Sequence, residues 1–176
     1  MLNPFPPSKA RRLGWTLAAV AALAAGAARA ADAGRPTPSG FPVPRYVSLK
    51  FDEVNARGGP GDDYKLLWVY RVKGLPLQVV AETSDWRRVC DPQGSLAWVK
   101  ATGVNGLRTT LSLSPVPLAL HAKPDPAAKV QAYLAARAVA DLDRCKGGWC
   151  RVKASGASGW VPAGDIWGAD ERRQCR

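Results

Sequence analysis

The sequence predicts an all-β protein built from two tandem small β-barrels that follow an N-terminal export segment. A pattern of tryptophans, glycines and prolines occurs twice in the same order, and each copy consists of short strand-forming runs between turn residues. Each copy is short enough that it can bury only a modest core, and a short meander exposes its strand edges unless the sheet closes. A small curled barrel satisfies both constraints.

Residues 1–30 have the features of a secretory signal peptide. Lys9, Arg11 and Arg12 precede an apolar run of roughly sixteen residues at 13–28, and Ala28-Arg29-Ala30 supplies the small-x-small pattern of a cleavage site. A membrane-spanning helix needs roughly twenty apolar residues, so the run favours cleavage over an uncleaved anchor. We therefore expect a periplasmic or secreted protein, with membrane attachment only if this segment stays uncleaved.

The mature chain is expected to be basic. Residues 1–30 contain four of the 25 Lys and Arg residues and none of the 14 Asp and Glu residues, which leaves a net charge of +7. Such a charge favours encounter with anionic polymers, although the basic residues are scattered and form no long run. Export makes nucleic acid an unsuitable partner.

The internal repeat sets the domain boundaries. Residues 54–60 align with 118–124 at an offset of 64, residues 86–89 with 149–152 at 63, and residues 97–99 with 159–161 at 62. Two single-residue gaps are enough to keep the order. The predicted organisation is a signal peptide at 1–30, a linker at 31–44, a first domain at 45–104, a second domain at 109–168 and a C-terminal tail at 169–176.

Short strands account for both copies. In the first copy, residues 77–82 and 86–90 flank the turn Thr83-Ser84-Asp85, and a further turn leads into residues 96–100. The second copy repeats this meander at 138–145, 149–153 and 159–161. Residues 127–138 have some helical character, but the repeat aligns them with a strand-forming segment at 65–70, so strand and turn are expected there.

The first copy contains Val54-Asn55-Ala56-Arg57-x-Gly59-Pro60, then Gly74, Trp86-x-x-Val89 and Trp98-Val99. This pattern resembles the bacterial SH3-like (SH3b) domain, and the second copy keeps Pro124, Trp149-x-x-Val152 and Gly159-Trp160-Val161. The lead-in at 41–50 is similar to that of a tandem subgroup found in exported bacterial proteins. The resemblance implies an SH3-like β-barrel for each copy and a non-catalytic binding role.

The four tryptophans at positions 86, 98, 149 and 160 are expected to be mainly structural. The alanine or glycine before the second tryptophan of each copy lets strands approach closely, and the indole covers the mouth of the barrel. SH3-type folds also bind extended peptides across aromatic side chains. The candidate ligand-binding residues are Asn55, Arg57, Tyr64, Trp68, Tyr70 and Trp86. The alternative, that Asn55 and Arg57 only hold their own loop, stays open. The second copy has Ala119 and His121 at those two positions, which puts the same contacts in doubt there.

The cysteines predict one disulfide. At the offset of 63, Cys145 and Cys150 align with Glu82 and Arg87, an opposite-charge pair. Both pairs suit residues that face each other across a hairpin, where Cα atoms lie roughly 4.5–5.5 Å apart, inside the usual disulfide range. We predict a Cys145–Cys150 bond. Cys90 and Cys175 either pair with each other or stay unpaired or intermolecular.

No catalytic or metal-binding set emerges from the sequence. The single histidine, His121, aligns with Arg57, so the sister copy lacks any general base there. The cysteines have no Cys-x-x-Cys spacing, and therefore neither a metal site nor a cofactor is expected. The favoured function is docking onto peptidoglycan peptides or an envelope protein. The alternatives are a structural scaffold in a protein complex and a charge-driven binder of anionic polymers.

Overall fold

The computed structural model describes residues 37–170 and 172–175. The predicted signal peptide and the first part of the predicted linker lie outside the described residues. The described part contains two seven-stranded antiparallel sheets, and its helical elements are two short 3-10 turns, Ala101–Gly103 and Ala163–Asp165. The all-β prediction is confirmed.

The first sheet contains the strands β1 Arg45–Leu49, β2 Val54–Arg57, β3 Leu66–Tyr70, β4 Pro76–Glu82, β5 Trp86–Cys90, β6 Leu96–Lys100 and β7 Val104–Asn105. The second sheet contains β8 Thr109–Ser112, β9 Leu118–His121, β10 Val130–Leu134, β11 Val139–Lys146, β12 Trp149–Ala154, β13 Ala157–Pro162 and β14 Ile166–Trp167. We call the two sheets with their cores the first barrel and the second barrel.

The duplication is present in the topology. The strand order is β3-β2-β6-β5-β4-β1-β7 in the first barrel and β10-β9-β13-β12-β11-β8-β14 in the second, so each strand corresponds to the strand seven places later. The three-stranded meander predicted for each copy forms the middle of its sheet. Strand β11 begins and ends one residue later than predicted, and β10 followed by a turn occupies the segment with helical character.

Alternation along the central strands builds the two cores. In the first barrel, Leu77, Val79 and Val89 are fully buried, because every second side chain of a strand faces the inside. Val152 and Val161 are fully buried in the second barrel. These residues belong to two separate apolar clusters, one for each barrel.

The barrels also contact each other through side chains of the second sheet. Leu111 of β8 is part of the first barrel's core, and Val139 and Trp167 pack against that core. The indole of Trp167 meets the Tyr46 ring edge-on at 5.9 Å between centroids and donates a hydrogen bond to the Pro76 carbonyl at 3.2 Å. Burial of these groups ties the second barrel to the first.

Buried hydroxyls add polar contacts at the same junction. The Thr109 hydroxyl donates to the Gly74 carbonyl at 2.6 Å and lies 2.6 Å from the Ser48 hydroxyl, whose oxygen is 2.7 Å from the Leu107 carbonyl. Ser48 and Thr109 are each at most 5% exposed. Because unpaired buried hydroxyls are unfavourable, this network fixes the approach of β1 and β8.

The C-terminal tail returns to the first barrel. Cys175 is bonded to Cys90 of β5 across 85 positions of sequence, and both are buried. The Gln78 side chain, which is fully buried, donates to the Arg172 carbonyl at 2.7 Å and accepts from the Gln174 amide at 2.8 Å. The pairing that the sequence left open is therefore intramolecular, and amide hydrogen bonds align the tail beside β4.

The second barrel contains the predicted Cys145–Cys150 bond. The two residues are direct register partners in the β11–β12 hairpin, and their Cα atoms are 4.0 Å apart. This Cα–Cα distance is shorter than the roughly 4.5–5.5 Å that is usual between facing residues of a hairpin.

An ion pair takes the same place in the first barrel. Glu82 and Arg87 are register partners in the β4–β5 hairpin, with 3.2 Å between Arg87 Nε and a Glu82 carboxylate oxygen. Arg45 Nη2 lies 2.5 Å from the same carboxylate, and the Ser39 amide donates to it at 2.9 Å. Burial by itself raises the pKa of Glu82, but hydrogen bonds from Ser39 and Arg45 outweigh it and lower the pKa to about 2.

Candidate functional site

The loop between β2 and β3 forms one wall of the candidate site. Arg57, the last residue of β2, donates a hydrogen bond from Nη1 to the Tyr64 carbonyl at 2.9 Å. The Gly58 amide bonds the Lys65 carbonyl at 3.0 Å, which closes the base of the loop. The Tyr64 ring packs so closely over Gly59 that a side chain at position 59 would collide with it. Arg57 therefore holds its own loop, as the alternative interpretation of the sequence stated for this residue.

A groove opens between this loop, the end of β6 and the start of β2. It encloses about 220 Å³ and is lined by Phe51, Glu53, Val54, Asn55, Arg57, Asp62, Trp86, Lys100, Thr102 and Gly103. We call it the first-barrel groove. Its lining combines two cations, two carboxylates, an amide and two aromatic rings, a composition that suits a polar peptide better than an apolar ligand.

Opposite charges are paired across the first-barrel groove. Lys100 Nζ lies 2.7 Å from an Asp62 carboxylate oxygen and 5.7 Å from the centre of the Trp86 ring. Arg57 Nη2 lies 3.9 Å from the other Asp62 oxygen. At the far end, Glu53 is paired with Arg71, which is outside the groove. Each carboxylate of the groove therefore faces a cation.

Three of the six predicted ligand-binding residues come together, and three lie elsewhere. Asn55, Arg57 and Trp86 line the first-barrel groove. Tyr64 packs on its own loop, as described above. Trp68 and Tyr70 are opposite Ala56 and Val54 in the β2–β3 register, so their side chains share the core face of the sheet, whereas Asn55 lies on the other face. The six residues do not form one continuous surface.

The buried position of Tyr70 has a clear chemical consequence. Its hydroxyl donates a hydrogen bond to the Asp91 carboxylate at 3.1 Å, and its ring meets Trp68 edge-on at 5.9 Å between centroids. Burial first, and then the negative charge of Asp91, raise the pKa of Tyr70. These contacts give Tyr70 a structural role in the core of the first barrel.

Sequence reasoning missed Asp62 and Lys100 as members of the site. Lys100 follows Trp98-Val99 directly, so the repeat pattern points to its neighbourhood, but the alternation rule does not indicate which loop it meets. Asp62 stands beside a second acid, Asp63, and a pair of adjacent acids in a loop gives no signal of a binding site. The tertiary fold brings the two residues together, although 38 positions separate them in the sequence.

The second barrel keeps a hydrogen bond that holds the loop after its second strand, but it lacks the charged residues that correspond to Asp62 and Lys100. His121 Nδ1 lies 3.0 Å from the Ala128 carbonyl, the counterpart of the Arg57–Tyr64 bond, and its ring meets Trp149 edge-on at 5.5 Å between centroids. Because a carbonyl only accepts, this nitrogen carries the hydrogen. At the aligned offsets, Pro126 and Pro162 replace Asp62 and Lys100. The second barrel thus has the fold of the site without its ion pairs.

Across residues 37–170 and 172–175, no group of three or more His, Cys, Asp or Glu residues is arranged to hold a metal ion. None of the helical elements in the same ranges has the length and apolar character needed to cross a membrane.

Comparison with known proteins identifies both repeats. The family model described as bacterial SH3 domain matches residues 50–106 and 114–168. No curated protein matches the chain. Among solved structures, NlpC1 from Trichomonas vaginalis is similar over 77% of this chain and 48% of its own, at 12% identity and a TM-score of 0.32. NlpC2 from the same organism is similar over 72% and 49%, at 13% identity and a TM-score of 0.33. The chain spans about half the length of these two proteins.

Proposed function

The chain belongs to the bacterial SH3 domain family, and we propose that it is a non-catalytic protein of the cell envelope that binds an extended peptide in the first-barrel groove. The observation that carries the proposal is the convergence of Asn55, Arg57, Trp86 and Lys100 on one groove. The proposed ligand is a peptidoglycan peptide, with a peptide segment of an envelope protein as the alternative source.

Disulfide chemistry supports the envelope location. The structure contains two disulfides, Cys90–Cys175 and Cys145–Cys150, and leaves no cysteine free within the described residues. Such bonds persist in oxidising compartments beyond the cytoplasmic membrane. This agrees with the signal-peptide features of residues 1–30.

The chemistry of the groove supports binding rather than catalysis. Its ionisable side chains are Glu53, Arg57, Asp62 and Lys100, and each acid is neutralised by a base. No lining residue pairs a nucleophile with a general base, as hydrolysis by a side chain requires. The Asn55 amide can donate to and accept from a peptide backbone, and the two cations can bind carbonyls or carboxylates.

Co-sedimentation with purified peptidoglycan sacculi tests the proposal. The chain is expressed with its own N-terminal segment and purified in the form that the host exports, then mixed with sacculi at about 50 and about 300 mM salt. We expect pelleting that survives high salt and that weakens about fivefold in Lys100→Ala, because a charged hydrogen-bond donor is lost. Lys123→Ala, which removes an exposed lysine from the β9–β10 loop of the second barrel, is the control for the loss of one positive charge.

The other outcomes are also informative. Absence of pelleting at both salt concentrations would contradict peptidoglycan as the ligand and leave the envelope protein. Pelleting at low salt alone, equally weakened by both lysine substitutions, would favour the charge-driven binder of anionic polymers.

The contact between the barrels favours a second candidate function, a structural scaffold. Leu111 and Trp167 of the second barrel pack on the first barrel's core, so the two domains can present one continuous surface to a partner protein. Disruption of this contact by Trp167→Ala would abolish scaffolding and leave groove binding in place. Equal loss of both activities in this variant would contradict that separation.

A further inference from the structure

Asp62 places a carboxylate of the protein itself between the cations of the first-barrel groove. One of its oxygens lies 2.7 Å from Lys100 Nζ, and the other lies 3.9 Å from Arg57 Nη2. The Lys100 ammonium also lies over the Trp86 ring. The groove thus already binds a carboxylate, and that carboxylate comes from its own wall.

The interaction that keeps Asp62 in this position is easily exchanged. The side chains of Asp62 and Lys100 are 63% and 53% exposed. Ion pairs with such exposure contribute little to stability, because water solvates both partners well when they separate. A second carboxylate in the groove can therefore compete with Asp62 for Lys100.

Release of Asp62 does not require the loop to open. The loop is fixed independently by the hydrogen bond from Arg57 Nη1 to the Tyr64 carbonyl and by the one from Gly58 to the Lys65 carbonyl. Rotation of the exposed Asp62 side chain is enough to free Lys100 Nζ and Arg57 Nη2. The anchored loop and the exchangeable carboxylate are separate parts of the same wall.

The second barrel indicates that this arrangement is not a requirement of the fold. Its loop has the same anchor, through His121 and the Ala128 carbonyl, yet proline occupies both aligned positions, 126 and 162. A barrel of this family therefore closes without the Asp62–Lys100 pair. The pair is a property of the first-barrel groove.

We propose that the first-barrel groove is a carboxylate-binding site for a peptide and that Asp62 is a built-in competitor, which the carboxylate of the ligand displaces. This inference rests on the proposed function and names the chemistry of its ligand. The peptide's free carboxylate engages Lys100 Nζ and Arg57 Nη2 while its backbone lies beside the Asn55 amide. Displaced Asp62 turns to solvent, where its charge is hydrated.

A titration followed by ¹⁵N–¹H spectra tests the competition. The exported chain is titrated with acetylated tetra-alanine that has a free C-terminal carboxylate, and with the same peptide amidated at that carboxylate. We expect the free acid to shift the signals of Arg57, Lys100 and the Trp86 indole. Asp62→Asn should bind the free acid about threefold to fivefold more tightly, the range that loss of an exposed ion pair allows.

Two control variants separate competition from net charge. Asp63→Asn removes the same charge from the neighbouring residue, which does not line the groove, and should leave the affinity unchanged. Lys100→Gln should lose the response to the free acid, with a spectrum that otherwise shows the folded chain. Equal affinities of the wild type and Asp62→Asn, equal gains in Asp62→Asn and Asp63→Asn, or equal binding of the free and amidated peptides would each overturn the inference.

Sedimentation of Asp62→Asn with sacculi distinguishes this inference from the proposed function. If the wild type pellets with sacculi but Asp62→Asn gains no affinity for the peptide, peptidoglycan binding stands and the built-in competitor is contradicted. If Asp62→Asn gains affinity for the free acid while neither protein pellets, the carboxylate site is supported and peptidoglycan is removed as its source.

Discussion

The β4–β5 hairpin of the first barrel and the β11–β12 hairpin of the second meet the same geometric requirement with different chemistry. Glu82 and Arg87 face each other in one hairpin, and Cys145 and Cys150 face each other in the other. Facing positions across a hairpin accept any pair that attracts or bonds at short range. The duplicated backbone is therefore the constant feature, and the side chains at matched positions have diverged.

The grooves show the same divergence on the functional side. Both barrels fix the loop after their second strand through a side chain that bonds a loop carbonyl, Arg57 in one and His121 in the other. The ion pair between Asp62 and Lys100 is present only where the aligned positions are not proline. The hydrogen bond that holds the loop is therefore common to both barrels, whereas the Asp62–Lys100 ion pair is a feature of the first barrel.

The largest expected effect concerns the end of the tail, which lies on the first barrel through Arg172, Gln174 and Cys175. Cys90 is fully buried under Cys175, whereas its counterpart at the offset of 63, Lys153, is exposed. Replacement of both cysteines by serine, Cys90→Ser with Cys175→Ser, removes a crosslink across 85 positions and should lower the free energy of unfolding by about 4 kcal/mol. Urea denaturation monitored by tryptophan fluorescence measures it. A loss below about 1 kcal/mol would contradict a tail that stabilises the first barrel.

The next effect tests the close approach of strands in the second barrel. A Cβ at Gly159 would lie 2.6 Å from the Leu120 Cβ and 2.9 Å from its backbone carbon, while the aligned residue of the first barrel is alanine at 97. Gly159→Ala should therefore destabilise the chain by about 2–3 kcal/mol through overpacking. Ala97→Gly, the reciprocal change, should cost about 1 kcal/mol. Thermal unfolding compares them, and equal effects would show that the strands can separate without penalty.

The hairpin disulfide of the second barrel should contribute less than the tail disulfide. Cys145 and Cys150 are five positions apart, so their bond restricts a short loop of the unfolded chain. Cys145→Ser with Cys150→Ser should lower the free energy of unfolding by about 2 kcal/mol, half of the effect at Cys90 and Cys175. The two double variants are compared in the same denaturant series. A reversed order would indicate that native-state packing, rather than loop length, determines the contribution of each bond.

The smallest effect concerns the ion pair of the first barrel and appears in acid. The folded pKa of Glu82, about 2, lies below its ordinary value of 4.5. The stabilisation of the folded state by ionised Glu82 is therefore present above about pH 4.5 and is lost as the pH falls toward 2. The wild type should lose on the order of 1–2 kcal/mol more than Glu82→Gln over this range. Asp85→Asn, an exposed acid of the same hairpin, should behave like the wild type. Parallel acid titrations of the wild type and Glu82→Gln would contradict the pairing.

Local sequence patterns predicted the strands and the hairpin partners for a physical reason. The register of a two-stranded hairpin follows from its turn, so aligning Cys145 with Glu82 and Cys150 with Arg87 was sufficient to identify facing positions. The aromatic residues of β3 were harder to assign. Trp68 was predicted beside the ligand, but a strand has two faces, and its face follows from its partner Ala56 in β2.

The sequence by itself determined the duplication, the all-β class and the β-hairpins, because these depend on periodicity and on contacts between neighbouring segments. Only the tertiary structure decided which distant residues meet. The pairing of β2 with β6 brings Asp62 to Lys100, and the packing of the second barrel on the first brings Cys175 to Cys90. Such contacts depend on how the strands curl and how the barrels pack, and a linear pattern of residue types does not contain that information.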